Sequence, residues 1–191
     1  MIKVFSTFTE ELSKDQIFSI CQLKQTRWNF SISDQISWFK TNVRKKDINV
    51  LLYQDKDLIG YTLLRRRKME AIHQGKNQAP KSDFKEGEYY YFDTHVILLK
   101  ARKKGLSYPL MEENIKIIKK NNLPSFLICD DDLINYYLKF KWKLLDKEDF
   151  EVKDHKFLTN GMIFNDNISD EKLGIKKNFK PQYKFYVYKS L

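Results

Sequence analysis

The chain has 191 residues, 42% hydrophobic and 31% charged, which fits a single globular domain with one sizeable core. No apolar run approaches the length of a membrane span, the opening MIKVFSTFTEEL lacks the apolar centre of a signal peptide, and Cys21 and Cys129 stand too far apart for a zinc or disulfide framework, so a cytoplasmic protein with buried free thiols is expected. A net charge of +10 reads either as a solvated Lys-rich surface or as a sign of an anionic partner (a phosphate ligand, nucleic acid or a membrane surface), and it counts against a strongly cationic substrate such as a polyamine.

Residues 2 to 8 alternate like a strand. Ser13-Lys14-Asp15-Gln16 has capping-box spacing and opens a helix with Ile17, Ile20, Cys21 and Leu23 on one side. A second helix is expected from Ser33 or Asp34, with Ile36, Phe39 and Val43 facing inward. Two strand-like runs, 48 to 53 and 58 to 64, flank the polar turn 54 to 57 and read as a hairpin. Arg65-Arg66-Arg67-Lys68 reads as a solvated run able to hold a phosphate, and residues 67 to 88 read as a surface loop.

Residues 89 to 98 (YYYFDTHVIL) form a mostly apolar central strand. A helix follows Gly105 and runs to about Asn121, then a buried strand covers 125 to 129, a short helix 130 to 140, and a strand starts at Trp142. Residues 161 to 164 and 182 to 188 are both strand-like, one of them expected to close the main sheet, with 166–191 either an extension or the last strand. His73 and His155 have no partners at metal-ligand spacing, so no metal is expected.

The most informative stretch is the junction between the central strand and its helix, Lys100-Ala101-Arg102-Lys103-Lys104-Gly105-Leu106-Ser107. A helix start exposes unpaired N–H groups and the positive end of the helix dipole, a glycine lets backbone approach a ligand closely, and neighbouring cations add charge. The junction is therefore a candidate pyrophosphate cradle. Strand alternation places Tyr91, Asp93 and His95 on one face, and Tyr90, Phe92 and Thr94 on the other.

Residues 102 to 107 resemble the acyl-CoA signature of the GCN5-related N-acetyltransferases (Arg or Gln, two residues, Gly, one residue, Gly or Ala), with Ser107 at the last position. A second stretch is similar in spacing to that superfamily's Asn, two residues, Ala, then Tyr ahead of Gly-Phe: here Asp130, Leu133, Tyr137 and Lys141-Trp142. The order of elements agrees as well. The resemblance implies a single-domain α/β fold of the α+β kind, a mixed and mostly antiparallel sheet flanked by helices with a splayed central strand.

It further implies acetyl transfer from acetyl-CoA to a primary amine of a small molecule, best an amino sugar, free or nucleotide-linked, by a monomer or homodimer without membrane contact. An amino acid or protein amine is the alternative acceptor, and an aminoglycoside fits the charge less well. In this reading Arg102, Lys103, Lys104, Gly105, Leu106, Ser107 and Asp130 bind the cofactor, and the backbone of Ile97, Leu98 and Leu99 faces the thioester carbonyl. Asp93 or His95 takes the proton of the amine, and Tyr137 protonates the leaving thiolate. Trp28 and Trp38 bracket a turn that in this superfamily often borders the acceptor site. Two rival readings are a nucleic-acid-binding module using Arg65 to Lys68 and Lys100 to Lys104, and a catalytically inactive CoA-binding regulator.

Overall fold

The computed structural model describes residues 1–73, 84–153, 160–164 and 183–187. Strands β1 (Ile2–Phe8), β2 (Ile48–Gln54), β3 (Asp57–His73), β4 (Phe84–Ile97), β5 (Ser125–Cys129), β6 (Lys143–Leu144), β7 (Phe150–Val152), β8 (Asn160–Phe164) and β9 (Tyr183–Val187) alternate with helices α1 (Lys14–Gln25), α2 (Ile32–Asn42), α3 (Ser107–Asn121) and α4 (Asp131–Leu138). The result is the expected mixed, mostly antiparallel α/β fold. The chain forms two compact units, residues 1–65 with 92–117 and residues 66–91 with 118–191. No helix among the described residues is long and apolar enough to cross a membrane.

In the first unit β1 pairs antiparallel with β2 and β2 with β3, the latter around a turn in which Asp55 adopts φ +56°. Both helices here begin with a reciprocal cap. Ser13 accepts from Gln16 N–H and Ser31 from Asp34 N–H, while the Gln16 and Asp34 side chains reach back to the capping residue's N–H. The cap at Ser31 starts α2 one to two residues before the expected Ser33 or Asp34. The core unites Ile20, Cys21, Leu23 and Phe39 of the helices with Leu51, Tyr61, Leu63 and Val96 of the strands. Buried Asn114 donates through Nδ2 to Thr62 Oγ1 and to the Leu110 carbonyl (2.6 and 2.7 Å).

In the second unit β4 pairs parallel with β5 through only two positions, Tyr90–Ser125 and Tyr91–Phe126, although β5 runs on to Cys129 along antiparallel β8. Such a short ladder is what a splayed central strand requires. Its core comprises Met69, Tyr89, Tyr91, Phe126 and Val187, with Phe150 and Val152 packed against them.

Three sequence expectations change. The stretch 67 to 88 is strand at both ends, to His73 and from Phe84, and only 74–83 lies outside the described residues. Arg65, Arg67 and Met69 are buried while Arg66 and Lys68 are exposed, so a two-residue period ran through the basic stretch with arginines in inward positions. Both C-terminal runs pair as strands, β8 with β5 and β9 with β3 and β7, so the choice of one closing strand does not arise. Strand β7 had no sequence expectation. Of the C-terminal stretch, 165–182 and 188–191 lie outside the described residues, as does His155.

Candidate active site

The cationic junction folds as a tight turn. Leu99–Ala101 make a single 3-10 turn, Lys103 and Gly105 adopt left-handed φ of +59° and +71° with Arg102 at −69°, and α3 starts at Ser107. A left-handed φ is costly for a residue with a Cβ, which accounts for the glycine at 105. A Cβ built there meets no protein atom within 4 Å, so the backbone at this point is open to an incoming ligand. The start of α3 leaves unpaired N–H groups beside this turn, and such groups favour an anion. Arg102, Lys103 and Lys104 are exposed around the turn, Leu106 and Ser107 half-buried, and Arg102 Nε braces the turn by donating to the Ile97 carbonyl (2.9 Å).

Of the three residues expected to offer backbone N–H groups, Leu98 is removed from the set. Its N–H donates to the Ile59 carbonyl at 2.8 Å.

Strand β4 departs from the expected alternation. Thr94, a β-branched residue, sits at φ +51°, which breaks the period and turns Asp93 and Thr94 toward the same cavity. The cavity has a volume of about 430 Å³. Asp93 and Thr94 line it from β4, and Lys24, Trp28, Phe30, Asp34, Gln35 and Trp38 line it from α1, α2 and their connection. That connection is pinned by Phe30 N–H on the Trp28 carbonyl (2.8 Å) and Gln25 Nε2 on the Phe30 carbonyl (3.1 Å). Both tryptophans flanking the helix turn thus face the cavity.

Asp93 Oδ2 pairs with Arg65 Nη1 at 2.9 Å. Arg65, nearly fully buried, also donates to the Asn42 carbonyl and lies over the Trp38 ring. His95 does not line the cavity. Its ring meets Phe92 edge-on at 5.9 Å, and burial of the imidazole pushes its pKa down to about 4, so it is neutral at physiological pH.

Sequence reasoning missed Lys24. It is only 5% exposed, its ammonium stands 3.5 Å from the centre of the Trp38 ring, and burial pulls its pKa down to about 8, with Arg65 adding to the drop and Asp93 and Cys21 opposing it. The signal was present: Lys24 follows Ile20 by four positions and Cys21 by three, on the apolar side of α1.

Tyr137 belongs to the second unit, as do Asp130 and Trp142. Asp130 opens α4, accepting Leu133 N–H on its carbonyl. Tyr137 is buried edge-on against Tyr136 and Trp142, and burial lifts its hydroxyl above the ordinary tyrosine range, which keeps it protonated. Lys141, where the resemblance places a glycine, adopts φ +65°, a conformation that a glycine provides without cost.

Among the described residues no cluster of His, Cys, Asp and Glu has the arrangement of a metal site. Buried Arg65 and Arg67 cannot serve a nucleic-acid surface, so that rival reading loses half of its first basic cluster.

Solved structures share this fold. An acyl-CoA N-acyltransferase from Pseudomonas aeruginosa matches with a TM-score of 0.60 at 14% identity, over 85% of this chain and 99% of that one. Escherichia coli ElaA matches at 0.58 and 15% identity, over 85% and 99%. The E. coli ribosomal-protein-S18-alanine N-acetyltransferase matches at 0.55 and 13% identity, over 85% and 91%. No family model and no curated protein sequence matches the chain.

Proposed function

From a chain that has the fold of the GCN5-related N-acetyltransferases, we propose an acyl-CoA-dependent N-acyltransferase that moves an acetyl group to a primary amine of a small molecule. The observation that carries this reading is the turn at 102–107. Exposed cations surround left-handed Lys103 and Gly105, and the turn leads directly into a helix N-terminus. These residues fit a diphosphate, because such a group needs N–H donors, positive charge and room for close approach. Bound acyl-CoA supplies the reactive thioester; everything else comes from the chain.

Lys103 to Ser107 hold the diphosphate, with the backbone of Ile97 and Leu99 proposed to face the thioester carbonyl. Asp93 accepts the proton of the acceptor amine, directly or through one water. Asp93 is favoured over His95 because it lines the cavity while His95 does not, and because an imidazole with a pKa near 4 is a weak base. Tyr137 gives its proton to the departing sulfur, a role resting on the resemblance of 130–142 and on a phenol that burial keeps protonated. An amino sugar suits the cavity's Trp28, whose ring can stack on a sugar ring.

The test is CoA release measured with acetyl-CoA and a panel of amines across pH, for the wild type and for Asp93→Asn and His95→Gln. The reading expects turnover, with Asp93→Asn lowering kcat by about 10²-fold or more and His95→Gln leaving it nearly unchanged. Wild-type turnover and profile in a folded Asp93→Asn protein would remove Asp93 from the base role.

A further inference from the structure

We propose that Lys24 receives an anionic group on the acceptor, a carboxylate or a phosphate, and thereby selects small amines that carry a negative charge. The inference rests on the acyltransferase reading only for the ligand being an amine. The site itself rests on an unusual arrangement of charge in the cavity.

Three charged side chains line that cavity, and two are already engaged. The Asp93 carboxylate is paired with Arg65, and the Asp34 carboxylate accepts from Ser31 Oγ (2.6 Å) and Ser31 N–H as part of the α2 cap. Lys24 is the third. Among the described residues its Nζ has no hydrogen-bond or ion-pair partner, only the face of Trp38. An ammonium has three N–H donors, and a ring face satisfies the charge in part while satisfying none of them linearly. The side chain is 95% buried and lines the cavity, so an anion brought by whatever fills the cavity would meet the ammonium away from bulk water, where the pairing is strong.

The other ionisable groups near Lys24 are Asp93, which is paired with Arg65 and offsets the ammonium only in part, Arg65 itself, and the neutral Cys21 thiol. The walls are Trp28, Phe30 and Trp38, so the body of the ligand is apolar or ring-shaped. Together these features describe an amino acid with an apolar side chain, or an amino sugar bearing phosphate. The shared element is an anion placed to meet Lys24 while the amine lies toward Asp93.

The experiment uses matched pairs on the full-length protein: amino acids against their carboxamides, and amino sugars against their phosphates. Binding is read by quenching of tryptophan fluorescence without acyl-CoA, since Trp28 and Trp38 line the cavity, and transfer is read separately by CoA release. The wild type should bind the anionic member of at least one pair tenfold or more tightly. Lys24→Met, which keeps the length of the side chain and removes its charge, should erase that preference, and a thermal melt confirms that the variant is folded. The pair showing the effect identifies the anion as carboxylate or phosphate.

Equal binding of both members in every pair overturns the proposal, as does a preference that survives in Lys24→Met. A fall in kcat with the preference intact would assign Lys24 to proton transfer and equally overturn it. Lys24-dependent selection without transfer to any amine would sustain this proposal and defeat the acyltransferase reading; transfer without such selection would do the reverse.

Discussion

The turn after β4 and the cavity beside α1 and α2 use lysine in opposite ways. At the turn Lys103 and Lys104 stand in water, where each contributes a screened field, and the backbone N–H groups are proposed to make the contact. In the cavity a single lysine is sunk against Trp38, largely withdrawn from bulk water, where its charge is less well solvated than at the surface. The first arrangement suits a ligand part that is always the same and highly charged. The second suits discrimination between acceptors, because the energy of a desolvated contact is lost entirely when the complementary group is missing.

The largest expected effect lies outside both regions. Tyr137→Phe removes one hydroxyl from a packed aromatic cluster and, if that hydroxyl protonates the leaving sulfur, lowers kcat by about 10²- to 10⁴-fold with cofactor affinity retained. Single-turnover kinetics and calorimetry on the folded variant separate the two quantities, and an unchanged kcat would return Tyr137 to packing.

Next comes the buried lysine. Its folded pKa of about 8 lies below that of an exposed lysine, so between these values the unfolded chain binds more protons than the folded one. Stability attributable to Lys24 is therefore lowest below pH 8 and rises as pH climbs toward 10.5, by on the order of 3 kcal/mol. Urea melts of the wild type and Lys24→Met should converge as pH rises, with the variant the more stable at pH 7. Parallel curves at all pH values would show that Lys24 is not desolvated.

The smallest effect sharpens the contrast. Lys103→Ala and Lys104→Ala should each weaken acetyl-CoA binding only a few-fold, and the loss should shrink in high salt because those charges are exposed. The Lys24-dependent preference among acceptors should persist in the same salt.

How much of this was legible in the sequence follows from the same physics. The turn was readable because its requirements are local: a glycine, cations and a helix start occupy consecutive positions. The capping box at Ser13 belongs to the same class, whereas the one at Ser31 went unread and α2 was expected to begin at Ser33 or Asp34. What escaped was non-local. Arg65 and Arg67 occupy inward strand positions that only tertiary partners such as Asp93 make tolerable, so the run looked like a solvated loop. Lys24 lies on the apolar side of α1, yet its charge argued for solvent and Trp38 is fourteen residues on. The break at Thr94 had no sequence signal, since a threonine in a strand normally continues the period.

The central claim is that the turn at Lys103 to Ser107 binds acyl-CoA, and isothermal titration calorimetry of acetyl-CoA tests it most directly. The wild type should show one site in the micromolar range. Gly105→Asn should weaken it at least tenfold, because asparagine tolerates the left-handed φ and its Cβ meets no protein atom, leaving only the ligand to be obstructed. No binding of acetyl-CoA or CoA to the wild type at millimolar concentration, or full affinity in Gly105→Asn, would contradict the account.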